Sequence, residues 1–181
     1  FGTNMVYKIF DKTDWRPSFH CVSDTIYASK LGIELSKMVK APLFTTERTY
    51  RRMRKKPVDT TYVHTIPTER YKVRGNIQAY CMSKATVLSL AAEMAFHMGF
   101  KEIYLLGVDC TNPHDKGGHF TDNYTTKEVA ETDINRIKTR MHANTLTTRQ
   151  IGEHIIDRSM EVYALLDSYA KKHNIHIYNA T

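Results

Sequence analysis

The stretch "SKATVLSLAAEMAFHMGFKEIYLLGVD", residues 83 to 109, constrains the fold more than any other. Its first part is rich in Ala, Leu and Met. Ser83 or Thr86 can cap it as a helix, and Gly99 suits a helix C-terminus. Almost at once come Ile103, Tyr104, Leu105, Leu106 and Val108, which read as a strand buried on both faces. A helix that passes so directly into such a strand is typical of a parallel sheet with helices on its faces.

The rest of the chain follows the same alternation. Residues 16 to 24, "RPSFHCVSD", predict a short strand ending in Ser23 and Asp24. In residues 25 to 40, Ile26, Leu31, Leu35 and Val39 recur at roughly helical spacing, and Pro42 follows the end. "APLFTT" and "TTYVHTI" predict two more short strands. Residues 151 to 173 predict a long helix whose apolar face includes Ile155, Val162, Leu166 and Ala170. Asn174 can end it, and "IHIYNA" makes a last strand. The expected fold class is α/β: a Rossmann-like, mostly parallel sheet with helices on both faces and a long polar lid loop.

With 181 residues, 41% of them hydrophobic, the chain can bury one substantial core. We therefore read 1–181 as a single domain, with 110–150 as a lid-like insertion. That insertion is polar, contains Gly117 and Gly118, and is too long for an ordinary connection. Within it, 127 to 141 can form a helix of its own. No apolar run is long enough to span a bilayer, and no signal peptide is visible. The absence of an initiator Met suggests a fragment of a longer chain. Cys21, Cys81 and Cys110 form neither a metal pattern nor a disulfide framework, which points to a reducing, cytoplasmic setting.

Most of the net charge of +7 comes from "RTYRRMRKK", residues 48 to 56. This run is either a solvated face or a patch for an anionic partner, such as a membrane surface, an acidic polysaccharide or a nucleotide. No nucleic-acid-binding signature accompanies it, so nucleic acid is not an expected partner.

In open parallel sheets, ligands bind beyond the carboxyl ends of the strands. Asp109 and Asp24 are expected at two such ends, and Thr3 and Asn4 at a third. The loop "NPHDKGGHFTDNY" adds His114, Asp115, His119, Asp122 and Tyr124. Their spacing matches no strong zinc or calcium pattern, so no metal is expected. Holding phosphates and moving a proton suits these groups better, with His as general base or acid. Neither a P-loop nor a G-x-G-x-x-G fingerprint is present.

"ATVLSLAAEMAFHMGFKEIYLLGVDCTN" resembles the signature segment of proteins related to the sialyltransferases of the Campylobacter lipooligosaccharide type. The same segment resembles a broad bacterial family similar to 6-hydroxymethylpterin pyrophosphokinase, whose members often lie among surface-polysaccharide genes. "FGTNMVYKIF", "RPSFHCVSD", "GGHFTDNY" and "IHIYNAT" resemble that family in the same order. The resemblance implies a nucleotide-binding domain that normally begins with one further strand and a phosphate loop. It implies transfer of sugar from a nucleotide-activated donor, CMP-sugar being favoured, to a glycan acceptor without a metal.

Matched by position, the resemblance implies donor contacts from Asn4, Ser23, Asp24 and Asp109, and from Thr86 and Val87 at the start of a helix. Thr111 and about His119 stand where sialyltransferases have two phosphate-gripping tyrosines. Asp157 aligns with their catalytic histidine, and His154 lies one turn earlier. The candidate catalytic set is thus His119, His154 and Asp157. Asn4, Ser23, Asp24, Thr86, Val87, Asp109, Thr111 and Tyr124 are the candidate donor-binding set. Two other expectations remain open: ATP-dependent pyrophosphoryl transfer to a pterin, and a non-catalytic binding module of polysaccharide assembly.

Overall fold

The computed structural model describes residues 1–26, 28–65, 72–82, 85–110, 135, 138–139 and 145–180. The fold is α/β and Rossmann-like. Four strands, β1 (Gly2–Thr3), β2 (His20–Val22), β3 (Leu43–Thr46) and β4 (Thr60–Val63), pair in that order, all parallel. Two more, β5 (Glu102–Leu105) and β6 (His176–Asn179), form a separate parallel pair. A 3-10 helix (Val6–Ile9) follows β1. The α-helices are α1 (Ala28–Met38), α2 (Glu47–Arg52), α3 (Val87–His97) and α4 (Thr148–Lys172).

Helices cover both faces of the sheet, because neighbouring residues of a strand point to opposite sides. In β2, Val22 packs with Leu31 and Leu35 of α1, while Cys21 packs with Leu90, Ala91 and Met94 of α3. A third cluster joins Ala92 and Phe96 of α3 to Val162, Leu166 and Ala170 of α4. Close approach also constrains the α1 side. A Cβ on Gly32 would lie 2.1 Å from the Lys55 carbonyl oxygen, so α1 meets the segment after α2 through a bare backbone.

The chain therefore steps outward from β1 to β4 with α1 between β2 and β3, then returns along α3 on the opposite face. It re-enters the sheet region at β5, and α4 leads to β6. β1 and β5 run the same way. The rings of Phe1 and Phe100, at the two strand starts, are 6.1 Å apart, and Thr3 and Leu106 face each other at the two ends.

The helix predicted after Thr86 forms as expected. The Thr86 hydroxyl accepts from the Leu88 amide at 3.2 Å, and Gly99 closes the helix with φ of 85°. The long C-terminal helix starts three residues earlier than predicted, within what was expected to be lid. There Thr147 and Gln150 form a capping box. Asn174 ends it with φ of 54°.

Several local expectations are corrected. The strand predicted to be buried on both faces is covered on one. Ile103 and Leu105 are half-buried, but Tyr104 is 61% and Leu106 77% exposed. Met98 is 37% exposed because it follows the last turn of α3. His97 is exposed, with Nδ1 3.3 Å from the Gly75 carbonyl. Ile155 leaves the buried stripe of α4 and is 40% exposed. The predicted lid and its helix fall mainly in 111–134 and 140–144, outside the described residues.

Candidate functional site

A cleft of about 320 Å³ opens where the chain reverses direction, between the ends of β1 and β5. Three structures build it. Thr3 ends β1, and Leu106, Gly107, Val108 and Cys110 follow β5. Thr86, Val87 and Leu88 open α3. Gly152, Ile155, Ile156, Ser159 and Tyr163 come from α4. These α4 positions are spaced by three and four, so one helical stripe faces the cleft.

The backbone around the cleft is shaped for this position. Asn4, Ala85 and Cys110 all have positive φ, at 42°, 61° and 52°, and Gly107 has 71°. Left-handed conformations are uncommon for residues other than glycine, and they gather at binding and catalytic sites. Here they mark the exits from β1 and β5 and the entry to α3.

The first turn of α3 brings its amide groups and the positive end of its dipole to the cleft. Opposite it, Tyr163 of α4 lines the cleft. Burial pushes the Tyr163 hydroxyl's pKa up, against a smaller lowering influence of Thr86, so it stays protonated near neutral pH. Burial and the neighbouring Asp109 charge also raise the pKa of the Cys110 thiol. Cys110 is therefore poorly suited to thiolate chemistry.

The structure brings together part of the candidate set. Thr86 and Val87 line the cleft directly. Asn4 follows Thr3; its backbone N–H donates to the Cys21 carbonyl at 2.9 Å, and its own carbonyl lies 2.9 Å from His20 Nε2. Asn4 Oδ1 is buried with no hydrogen-bond partner. Asp109 lies exposed between the cleft residues Val108 and Cys110. It does not end the strand: β5 stops at Leu105, and the chain turns at Gly107.

Other candidates lie apart. Ser23 and Asp24 follow β2, where the Ser23 carbonyl accepts from the Thr49 hydroxyl at 3.0 Å and Asp24 Oδ1 accepts from the Ile26 amide at 2.7 Å. Asp24 thus forms a turn into α1. Neither lines the cleft. His154 and Asp157 are on α4 but off the stripe that faces it. Thr111, His119 and Tyr124 lie outside the described residues.

Sequence reasoning missed Gly152, Ile156, Ser159 and Tyr163 as cleft residues. Their spacing was visible, but an apolar helical stripe ordinarily indicates core packing. Among the described residues, no group of three or more His, Cys, Asp or Glu is placed to hold a metal ion. No described helix is long and apolar enough to cross a membrane.

The basic run forms α2 and the segment after it. Arg51 pairs with Glu47, Arg52 Nη1 donates to the Thr25 carbonyl at 3.2 Å, and Lys56 Nζ donates to the Met53 carbonyl at 3.1 Å. Lys56 also lies 4.9 Å from the Tyr50 ring centroid. His64 Nδ1 lies 2.7 Å from Glu47 Oε2, and this contact leads the influences that hold the Glu47 pKa below its usual value.

No family model, curated protein or solved structure matches the chain.

Proposed function

We propose that the cleft between the ends of β1 and β5 binds the nucleotide part of an activated sugar. The domain is then glycosyltransferase-like and serves bacterial surface-glycan synthesis on the cytoplasmic side of the membrane. One observation carries this reading: the N-terminus of α3, with Thr86 and Val87, opens into a cleft at the sheet's reversal point. A helix N-terminus in that position suits a phosphate, and such crevices are where open parallel sheets bind ligands.

In this reading the donor is a CMP-sugar and transfer is direct. The acceptor hydroxyl oxygen bonds to the sugar's anomeric carbon, and the bond from that carbon to the nucleotide phosphate oxygen breaks. The phosphate leaves with the electron pair, stabilised by α3 amides. His119 takes the acceptor's proton as general base. Arg48 to Lys56 favours an anionic lipid surface near the glycan acceptor.

Titration calorimetry on the natural polypeptide with CMP, CDP, UDP and GDP tests the donor site. Saturable CMP binding that weakens in Thr86→Tyr is expected. Absence of binding by all four overturns the reading.

A further inference from the structure

A second cleft, of about 600 Å³, lies between the segment 72–79 and the C-terminal turns of α4. It is set apart from the first cleft, whose α4 residues end at Tyr163. Lys72 and Arg74 line one wall, Lys172 and His173 the other, and Asn76 and Ser168 add polar groups. Among the described residues, no Asp or Glu lines this cleft. Lys72, Arg74 and Lys172 make no ion pair with a described residue, whereas Lys171, beside Lys172, pairs with Asp167 at 2.7 Å.

Packing, not charge, fixes the two walls. Val73 is buried in the cluster built by α3 and α4, while Lys72 and Arg74 on either side of it are exposed. The Tyr169 hydroxyl donates to the Arg74 carbonyl at 3.2 Å, and His97 Nδ1 lies 3.3 Å from the Gly75 carbonyl. Only glycine permits this approach at position 75: its φ is 63°, and a Cβ there would collide with the Tyr169 hydroxyl. The Arg74 guanidinium sits 4.6 Å from the Tyr80 ring centroid. On the other wall, the rings of Phe96, Tyr169 and His173 stack in sequence, with centroids 5.1 and 4.2 Å apart.

The last carbonyls of α4 are already engaged. Those of Tyr169 and Ala170 accept from the His173 amide at 3.2 and 3.1 Å, and that of Ala170 also accepts from the Ile175 amide at 2.9 Å. The His173 carbonyl accepts from Lys101 Nζ at 3.4 Å. Lys172 is therefore not spent on capping the helix. Three cations line one cleft with no carboxylate among them, and an anion that enters relieves their mutual repulsion.

We propose that this cleft binds a phosphate group of two or more negative charges, as carried by a phosphomonoester or a diphosphate. Arg74 supplies a planar fork of donors to the phosphate oxygens, and Lys72 and Lys172 supply point charges. Ser168 and Asn76 supply neutral donors. The cleft is roomier than a bare phosphate requires, so the ligand extends beyond that group. The proposal stands whether or not the first cleft binds a nucleotide.

Titration calorimetry of the natural polypeptide with inorganic pyrophosphate tests it. Saturable binding is expected, and it is expected to persist in Thr86→Tyr, which alters the first cleft. Arg74→Gln combined with Lys172→Gln is expected to weaken binding about tenfold or more. Arg54→Gln, in the basic run outside the cleft, should leave affinity within about twofold. Absence of saturable binding overturns the proposal, as does indifference to the double variant or equal weakening by Arg54→Gln. Sedimentation with phosphatidylcholine vesicles containing phosphatidic acid separates the two sources of such a phosphate. Co-sedimentation that pyrophosphate displaces and the double variant loses assigns a lipid headgroup. Pyrophosphate binding without it assigns a soluble ligand.

Discussion

His20 is fully buried, with Nε2 2.9 Å from the Asn4 carbonyl and Nδ1 unpartnered. Burial lowers its pKa from 6.5 to about 4, against an opposing contribution from the Asn4 hydrogen bond. Its stabilising contribution is present above the unfolded pKa. It falls as pH drops through 6.5, because the unfolded chain binds a proton that the folded chain refuses, and it is exhausted near pH 4. The loss is on the order of 3 kcal/mol. Urea midpoints measured from pH 7.5 to 4 are expected to fall more steeply for the native protein than for His20→Gln; parallel curves would exclude this role. The same contact ties the backbone of Asn4, with φ of 42°, to β2. Nothing in "FGTN" announces that, since the constraint comes from β2.

Elements show how differently local signals translate. The capping box at Thr147 and Gln150 is a local motif, and α4 starts there. Thr147→Ala leaves first-turn amides without their side-chain acceptor. It is expected to destabilise the protein by about 1 kcal/mol, read as a fall of roughly 2 to 4 °C in Tm. Amide exchange should quicken in the first turn of α4 and not in its last. β5 is the opposite case. "IYLLGV" reads as a strand, and its first three residues are one, but their burial depends on what lies beside them. The exposed Tyr104 and Leu106 follow from an open cleft beside β1 and a bare face, neither of which is encoded within the strand.

At the scale of the whole molecule, the three thiols report whether this arrangement holds in solution. Cys21 and Cys81 are fully buried beneath α3, and burial pushes the Cys21 pKa up to about 12. Cys110, partly buried at the cleft, is the accessible one. Ellman's reagent at pH 8 is expected to modify one thiol in the native protein and all three in guanidinium. Rapid reaction of three thiols without denaturant would contradict the packing of α3 on β2.

The sequence alone determined the alternation of helices and strands, because apolar period, caps and glycine stops act over a few residues. Thr86 was legible as a helix cap for the same reason, while its candidacy and that of Val87 for donor binding rested on the resemblance. Tertiary structure decided which strands are neighbours, where the walk reverses, and that α4 supplies Ile156 and Tyr163 to a cleft begun by Thr3. These contacts join residues more than a hundred positions apart, and no local period records them. It also withdrew His154 and Asp157 from the cleft-facing stripe, since direction on a helix turns by about 100° per residue. A residue's kind is written in the chain, but what it faces is set only when distant elements pack.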